Sequence, residues 1–566
     1  MNQDITFPFK VIVQNQGMVT FPTQDCYIAQ GGQGYVLKLN DQAYKIYHDP
    51  KTMIPAEKVQ ELSILKKYPN ILCPLEVLFD PNKPKNPIGF SMPYVRKTEF
   101  LVRLFNRTFK QDNRITPDTV AELVKNLQTG VQNVHNESIL IVDLNEMNFL
   151  TDSKTYTTPY FIDVDNYETK KHRTTAIMES IRDPKVQKNQ WTKNSDWFSF
   201  GIVAFQLYTN LHPYWGKHPD FKLNQWQERM KLGVSVFDKA VTFPPGFMGW
   251  DVIPKAHLDW FRKIFQQGER SVPPYPDGAL IITVARVTDI TSTGKFEVTP
   301  VAVLSDRIIS VSFHNGVRYA ITTKQIYRMD KPVLPTPKTR SGLLSMGGHE
   351  PILAVEDQTT IKFTTLDGKE CGSTTFEQAM EYGGALYTIY NDRLIETRFE
   401  MFQQPMQMTK TLTSVSGNTK LYRGVAVQDA LGKHWLAIPF LPGKCTNIPV
   451  PELDGYRIVV AKYENRYCQL MGERSGKYTR FVLYFSEDHT TYKCRSAVGP
   501  YIGISFAVNA KGICVSALED QAEICFGDSK ISTHSDSPFD PDTELLTDGL
   551  NIMFIDDRKL YQVRLK

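Results

Sequence analysis

Ile139-Leu-Ile-Val-Asp-Leu-Asn-Glu-Met-Asn-Phe-Leu150 is the stretch on which the fold of the first half turns. An apolar run, predicted to be a strand, delivers Asp143, and Asn148 follows five residues later. A carboxylate so placed can orient an attacking hydroxyl and accept its proton, and the Asn amide oxygen can ligate Mg²⁺. A second apolar run downstream, YFIDVDNYE (Tyr160 to Glu168), releases Asp163 and Asp165. Asp163 is placed to hold a metal bridging the outer phosphates of a nucleotide. Aspartates at strand ends are also common turn formers, so neither motif decides anything alone.

Two more signals lie upstream. In YIAQGGQGYVLKLNDQAYKIY (Tyr27 to Tyr47), apolar strands flank a turn with Gly31, Gly32 and Gly34, and a third strand carries Lys45. Glycines let a backbone approach phosphate oxygens and present unblocked N–H groups, and a lysine beyond them can neutralise phosphate charge. By itself this is equally a plain hairpin. Next, AEKVQELSILKKY (Ala56 to Tyr68) is amphipathic and stops at Pro69, with Glu57 and Glu61 one turn apart on one face. Either carboxylate can pair with Lys45 or belong to a solvated helix face.

Taken in this order, the four signals resemble the protein-kinase superfamily over about Gln24 to Pro274. Ala29, Gly31, Gly34 and Val36 match G-x-G-x-x-G-x-V, with Ala for the first Gly. Lys45 matches the strand lysine, and Glu61 matches the helix glutamate better than Glu57 because ILKKYPNIL follows it. Asp143 and Asn148 match D-x-x-x-x-N, and Asp163-Val164-Asp165 stands where Asp-Phe-Gly would be. SDWFSFGIVAFQL with Asp196, then HPYWG (His212 to Gly216) and Arg270, continue the pattern. The D-L-N-x-x-N and I-D-x-D motifs are similar to those of bacterial and bacteriophage serine/threonine kinase-like proteins. The resemblance implies a two-lobed α+β domain that binds ATP and Mg²⁺. Lys45, Glu61 and Asp143 would be its catalytic set and Asn148 and Asp163 its metal ligands. Gly31, Gly32, Gly34, Val36, Lys45, Met92 and Tyr94 would contact the nucleotide.

Several positions depart from the pattern. Ile141-Val142 replaces His-Arg before Asp143, so a phosphate on the following loop has no obvious cation to order it. Asn145 stands where most kinases have Lys, which removes a positive charge near the γ-phosphate. Asp165 replaces a Gly, and Asp183-Pro184-Lys185 replaces Ala-Pro-Glu, which leaves Arg270 without the family's glutamate partner.

The texture changes near Pro273. Before it, Val120 to Val134 and Trp197 to Tyr208 space apolar residues three and four apart, as helices do. After the breaker-rich SVPPYPDG (Ser271 to Gly278), short β-rich runs alternate with polar turns. Hairpin signals recur from Tyr319, Leu386, Phe506 and Ile552. A repeat of roughly 30–50 residues fits a six- or seven-bladed β-propeller, with two packed β-sandwiches as the alternative. In a propeller the last strand, Leu560 to Leu565, would close on strands near Leu280 to Val287, which removes exposed edges.

The chain thus reads as multidomain. Residues 1–272 form a kinase-like domain (N-lobe about 1–95, C-lobe about 96–272), 273–279 a linker and 280–566 an all-β domain. Its 566 residues exceed one hydrophobic core. A net charge of +4 calls for neither nucleic acid nor an anionic membrane as partner. The start lacks the regions of a signal peptide, no apolar run reaches the length of a membrane span, and the eight cysteines contain no C-x-x-C pair. A cytoplasmic location, or one in a phage particle or infected cell, is expected. Three activities stay open: a serine/threonine kinase whose β domain recruits a protein substrate or partner, a pseudokinase scaffold, and a small-molecule phosphotransferase of the aminoglycoside-kinase type.

Overall fold

The computed structural model describes residues 5–174, 177–187, 189–244, 247–275, 295–499, 503–518, 521–535 and 537–566. The chain divides into two compact units. One holds Met1–Asn106 and Ile115–Val287, and the other holds Arg107–Arg114 and Thr288–Lys566.

The first unit is α+β. In its seven-stranded antiparallel sheet, Gln42–Tyr47 lies between Gly34–Leu39 and the central strand Lys83–Pro93. Lys45 is thereby aligned with Val36 on one side and Phe90 on the other. Gly34 is needed for this register, because a Cβ there would lie 2.2 Å from the Ile46 carbonyl oxygen. Helix α1 (Ala56–Leu62) turns into a 3-10 segment over Ser63–Lys67. Helix α2 (Arg107–Asp112) falls in the part of the chain grouped with the second unit.

Helix α3 (Pro117–Asn136) has the predicted periodicity and buries Val120, Leu123, Val124, Leu127, Val131 and Val134. Pro117 starts it, and the Thr116 hydroxyl accepts the Thr119 amide hydrogen at 3.2 Å. Helix α4 (Lys193–Thr209) is buried all round and opens on a Thr192–Ser195 capping box. Helices α5 (Trp226–Leu232) and α6 (Lys255–Phe265) complete the helical part. A three-stranded sheet of Thr98–Phe100, Phe149–Asp152 and Pro159–Phe161 lies beside it in sequence and carries the second acidic motif. Gly130 lets the Phe161 ring against α3, since a Cβ would meet that ring at 2.4 Å.

The expected strand before Asp143 is absent. Ile139–Leu144 is extended but irregular, with a single bridge from Leu140 to Glu168. Its Ile141 and Val142 N–H groups are satisfied by a side chain, described below, and the Leu140 N–H by the Glu168 carbonyl, so a longer sheet pairing is not required.

Apart from α2 and a 3-10 turn at Pro451–Leu453, the second unit is all-β, with seven four-stranded antiparallel sheets among the described residues. Each of the four hairpins read from the sequence forms: Val317–Thr322 with Gln325–Arg328, Ala385–Tyr390 with Arg393–Met401, Ser505–Val508 with Ile513–Leu518, and Ile552–Asp556 with Lys559–Leu565. Six sheets use four consecutive strands. In the seventh, Lys559–Leu565 pairs with Phe296–Val303, which joins the region's two ends in one sheet. The expected partner segment, Leu280 to Val287, lies outside the described residues. Inner strands such as Ala385–Tyr390 are buried, whereas the fourth strands, such as Pro405–Ser414, are largely exposed.

Arg107–Arg114 sits among residues of this second unit. The Arg114 guanidinium donates to the Pro337 carbonyl and, at 2.7 Å, to the Ser341 hydroxyl. Burial lowers the Lys110 amine to about 7, partly opposed by Asp542.

Candidate active site

Asp143 is fixed by its own loop and by the segment after Asp163. Its Oδ1 accepts the Met178 amide hydrogen at 2.8 Å, and Asn148 Nδ2 donates to its carbonyl at 2.8 Å and to Oδ2 at 3.3 Å. With that nitrogen committed to Asp143, the Asn148 amide oxygen is the atom left to face a cation. Burial raises the Asp143 pKa, opposed by the Met178 amide and the Asn145 and Asn148 side chains, while the charge of Asp163 adds to the rise.

The residue just before it, Val142, takes φ of 65°, a left-handed conformation costly for a β-branched side chain. Asp196 holds it there from α4. Its Oδ2 accepts the Ile141 N–H at 2.8 Å and its Oδ1 the Val142 N–H at 2.9 Å. His135 Nε2 lies 2.8 Å from the same Oδ2, and Asp196 is wholly buried. The Ile141-Val142 backbone is thus anchored to α4, though the pair supplies no cation to the loop that follows.

Asn145, where a lysine was noted as absent, is buried and turns the loop. Its Oδ1 accepts the Met147 amide hydrogen at 2.8 Å.

Asp163 follows the strand Pro159–Phe161, itself pinned by Phe161 N–H to the Asn70 carbonyl at 2.8 Å. It too is left-handed, at φ 53°, and its side chain is about 36% exposed. The Ile162 amide donates to the Asn148 carbonyl at 3.0 Å, which ties the two motifs together. Lys45 Nζ lies 3.7 Å from Asp163 Oδ1.

The partner of Lys45 differs from expectation. Its ammonium is 2.7 Å from Asp165 Oδ2 and 3.3 Å from Gln33 Oε1. Glu61, assigned to it from the sequence, instead faces Lys171 at 3.6 Å and His172 at 3.3 Å. A hydrogen bond from Thr169, followed by those partners, lowers the Glu61 pKa. Burial pulls the Lys45 pKa down, but Asp165 and then Asp163 outweigh it, and the net shift is upward. The signal for Asp165 was its charge at a glycine position. For Gln33 none was present.

Gly31 and Gly32 are exposed at the hairpin tip, with open space where a Cβ would go. Val36 is partly buried beside Lys45. Met92 packs with Tyr47, Val59, Val77 and Phe90, while the Tyr94 amide donates to the Asp41 carbonyl at 3.1 Å. Thus Gly34, Val36, Lys45, Asp163, Asn148 and Asp143 form one connected path, and Glu61 lies off it.

Arg270 also has a partner after all. Its Nε and Nη2 reach the two Asp183 carboxylate oxygens at 2.6 Å each, and its guanidinium lies 4.2 Å from the Phe198 ring centroid. Asp183, at the alanine position of Ala-Pro-Glu, supplies the carboxylate in a bidentate, largely buried pair, while Lys185 holds the glutamate position.

Residues 26–247 match the protein kinase domain family. Among solved structures, that of the Cydia pomonella granulovirus kinase PK-1 is similar at 14% identity, over 42% of this chain and 85% of that one, with a TM-score of 0.32. No curated protein matches the chain. The first unit therefore carries a protein-kinase-like domain. Among the described residues, no helix is long and apolar enough to cross a membrane.

Proposed function

We propose that the first unit transfers the γ-phosphoryl group of ATP to serine or threonine hydroxyls of a protein, and that the second unit is a seven-bladed β-propeller that recruits that protein. The linked placement of Lys45, Asp163, Asn148 and Asp143 carries the reading. Phosphoryl transfer depends mainly on positioning and electrostatics, so these groups suffice for it in kind.

Lys45 would pair with nucleotide phosphate oxygens, and the exposed tip at Gly31 and Gly32, free of Cβ atoms, would let the backbone close over them. The Asp163 carboxylate and the Asn148 amide oxygen suit Mg²⁺, a hard cation that prefers oxygen ligands and would neutralise phosphate charge when bound. Asp143 would orient the substrate hydroxyl and take its proton as the new O–P bond forms. Burial raises its pKa, which makes the ionised carboxylate a better proton acceptor.

The propeller reading rests on seven separate four-stranded sheets and on the sheet shared by the region's two ends, which two packed sandwiches would not need.

The test is incubation of the full chain with Mg²⁺ and γ-labelled ATP, with and without generic protein substrates. Label on serine or threonine that disappears in Asp143→Asn and Lys45→Ala is the expected result. Stabilisation by nucleotide without transfer would overturn the proposal for a pseudokinase, and label only on small alcohols or amines for a small-molecule phosphotransferase.

A further inference from the structure

Lys45 needs an anion to hold its long side chain in one place, and the geometry offers two that differ in kind. Asp163 is partly exposed, 3.7 Å away, and suited to metal. Asp165 is 2% exposed, 2.7 Å away, and its environment leaves it no freedom. The Tyr47 hydroxyl donates to the same Asp165 Oδ2 at 2.8 Å, and Lys58 Nζ of α1 grips the Asp165 carbonyl oxygen at 2.7 Å. Side chain and backbone of one residue are thus held by three donors from Gln42–Tyr47 and α1. Glu61, one turn beyond Lys58, is engaged with Lys171 and His172.

We infer that Asp165 is the positioning residue that fixes Lys45 for the nucleotide, a role the sequence pattern had assigned to Glu61. The inference rests on the proposed phosphoryl transfer. The two aspartates of the motif then divide the work, with Asp163 serving the metal and Asp165 serving the lysine. Because Asp165 sits two residues from Asp163, lysine and metal ligand are positioned by the same short loop. Loss of the Glu61 carboxylate would not release Lys45, whereas Lys58 still ties α1 to the loop that holds the lysine.

Acylation of Lys45 by acetic anhydride, followed by mass spectrometry across pH, tests this on the full chain, alongside kcat and KM for ATP. Removing the anion that stabilises the ammonium lowers its pKa. In Asp165→Asn, acylation of Lys45 should begin at lower pH and kcat/KM should fall about a hundredfold, the size of a lost positioned charge contact. In Glu61→Gln both should stay within about twofold, the size of a distant surface change. A shifted acylation profile in Glu61→Gln, or wild-type behaviour in Asp165→Asn, overturns the inference.

Should Asp165→Asn fail to fold, Glu61→Gln decides alone: a moved profile overturns the inference and an unmoved one supports it. If the wild type transfers no phosphate, the functional reading fails while the acylation profiles still report on the Lys45–Asp165 pair, so the two failures are separable.

Discussion

The two units break backbone rules in different places. In the all-β unit, left-handed residues sit in two-residue hairpin turns: Asn315-Gly316 at φ 53° and 73°, Asn391-Asp392 at 49° and 55°, Ser475-Gly476 at 53° and 74°. Such turns match strand twist, and Asn, Asp and Gly tolerate them cheaply. In the first unit, two of the left-handed residues are Val142 and Asp163, beside or within the candidate site. Val142 is not a residue chosen for that conformation, whereas Asp163 is of a type that adopts it readily. The β unit places its exceptions in turns between strands, where Met329, Gln358 and Leu431 adopt the conformation as well as Asn, Asp and Gly, whereas the kinase-like unit places two where chemistry is proposed and holds the Val142 backbone by hydrogen bonds to Asp196.

That contrast can be broken most sharply at Asp196. Asp196→Ala leaves the Ile141 and Val142 N–H groups unpaired, with Val142 still strained. A loss of about 3–5 kcal/mol in the first unit's unfolding transition is expected, measured by denaturant titration. A loss below about 1 kcal/mol, the ordinary value for a net hydrogen bond, would mean the loop holds itself.

A smaller effect separates the glycines. Gly34→Ala puts a methyl into the Ile46 carbonyl and should cost about 1–3 kcal/mol, as overpacking does. Gly31→Ala meets open space and should leave the melting temperature unchanged while altering KM for ATP. In the β unit, Asn391→Val should cost about 1–2 kcal/mol through the left-handed conformation alone. Equal melting temperatures for Asn391→Val and wild type would show that the turn rearranges freely.

The smallest effect is one of pH. Burial raises the Glu381 carboxyl from 4.5 to about 7, with Arg423 and Arg340 opposing and Asp112 contributing. The folded state therefore keeps a proton that the unfolded chain releases near 4.5. The stabilisation is present below that value and lost as pH rises through about 7. Glu381→Gln should flatten this part of the β unit's stability–pH curve, followed by calorimetry, and an unchanged slope would refute the assignment.

Much of this was legible in the sequence because it rests on local patterns. Apolar spacing places α3 and α4, polar turn residues place the hairpins, and the ordered motifs bring Lys45, Asp143, Asn148 and Asp163 to one path. What stayed hidden depends on the direction of a side chain once the chain is folded. Glu57 and Glu61 lie on one helix face in any reading, yet only packing decides that Lys58 turns inward and Glu61 toward His172. Asp183 stands two residues before the glutamate position, which Lys185 holds, and spacing alone could not reveal that Arg270 reaches it. Nor does any motif mark the run RTFKQDNR (Arg107 to Arg114) as belonging with strands some two hundred residues later, roughly the separation of Arg114 from Pro337.

That short run has a consequence for the protein as a piece of heredity. A β region appended to a kinase as a tail could be trimmed, exchanged or duplicated by a single recombination at the junction. Here the chain leaves the first unit after Asn106, returns at Ile115 and leaves again after Val287, so that eight residues encoded inside one unit complete the other. A cut between them yields a β half that lacks a piece and a kinase half carrying an orphaned one. A single exchange at the junction would therefore move neither unit whole.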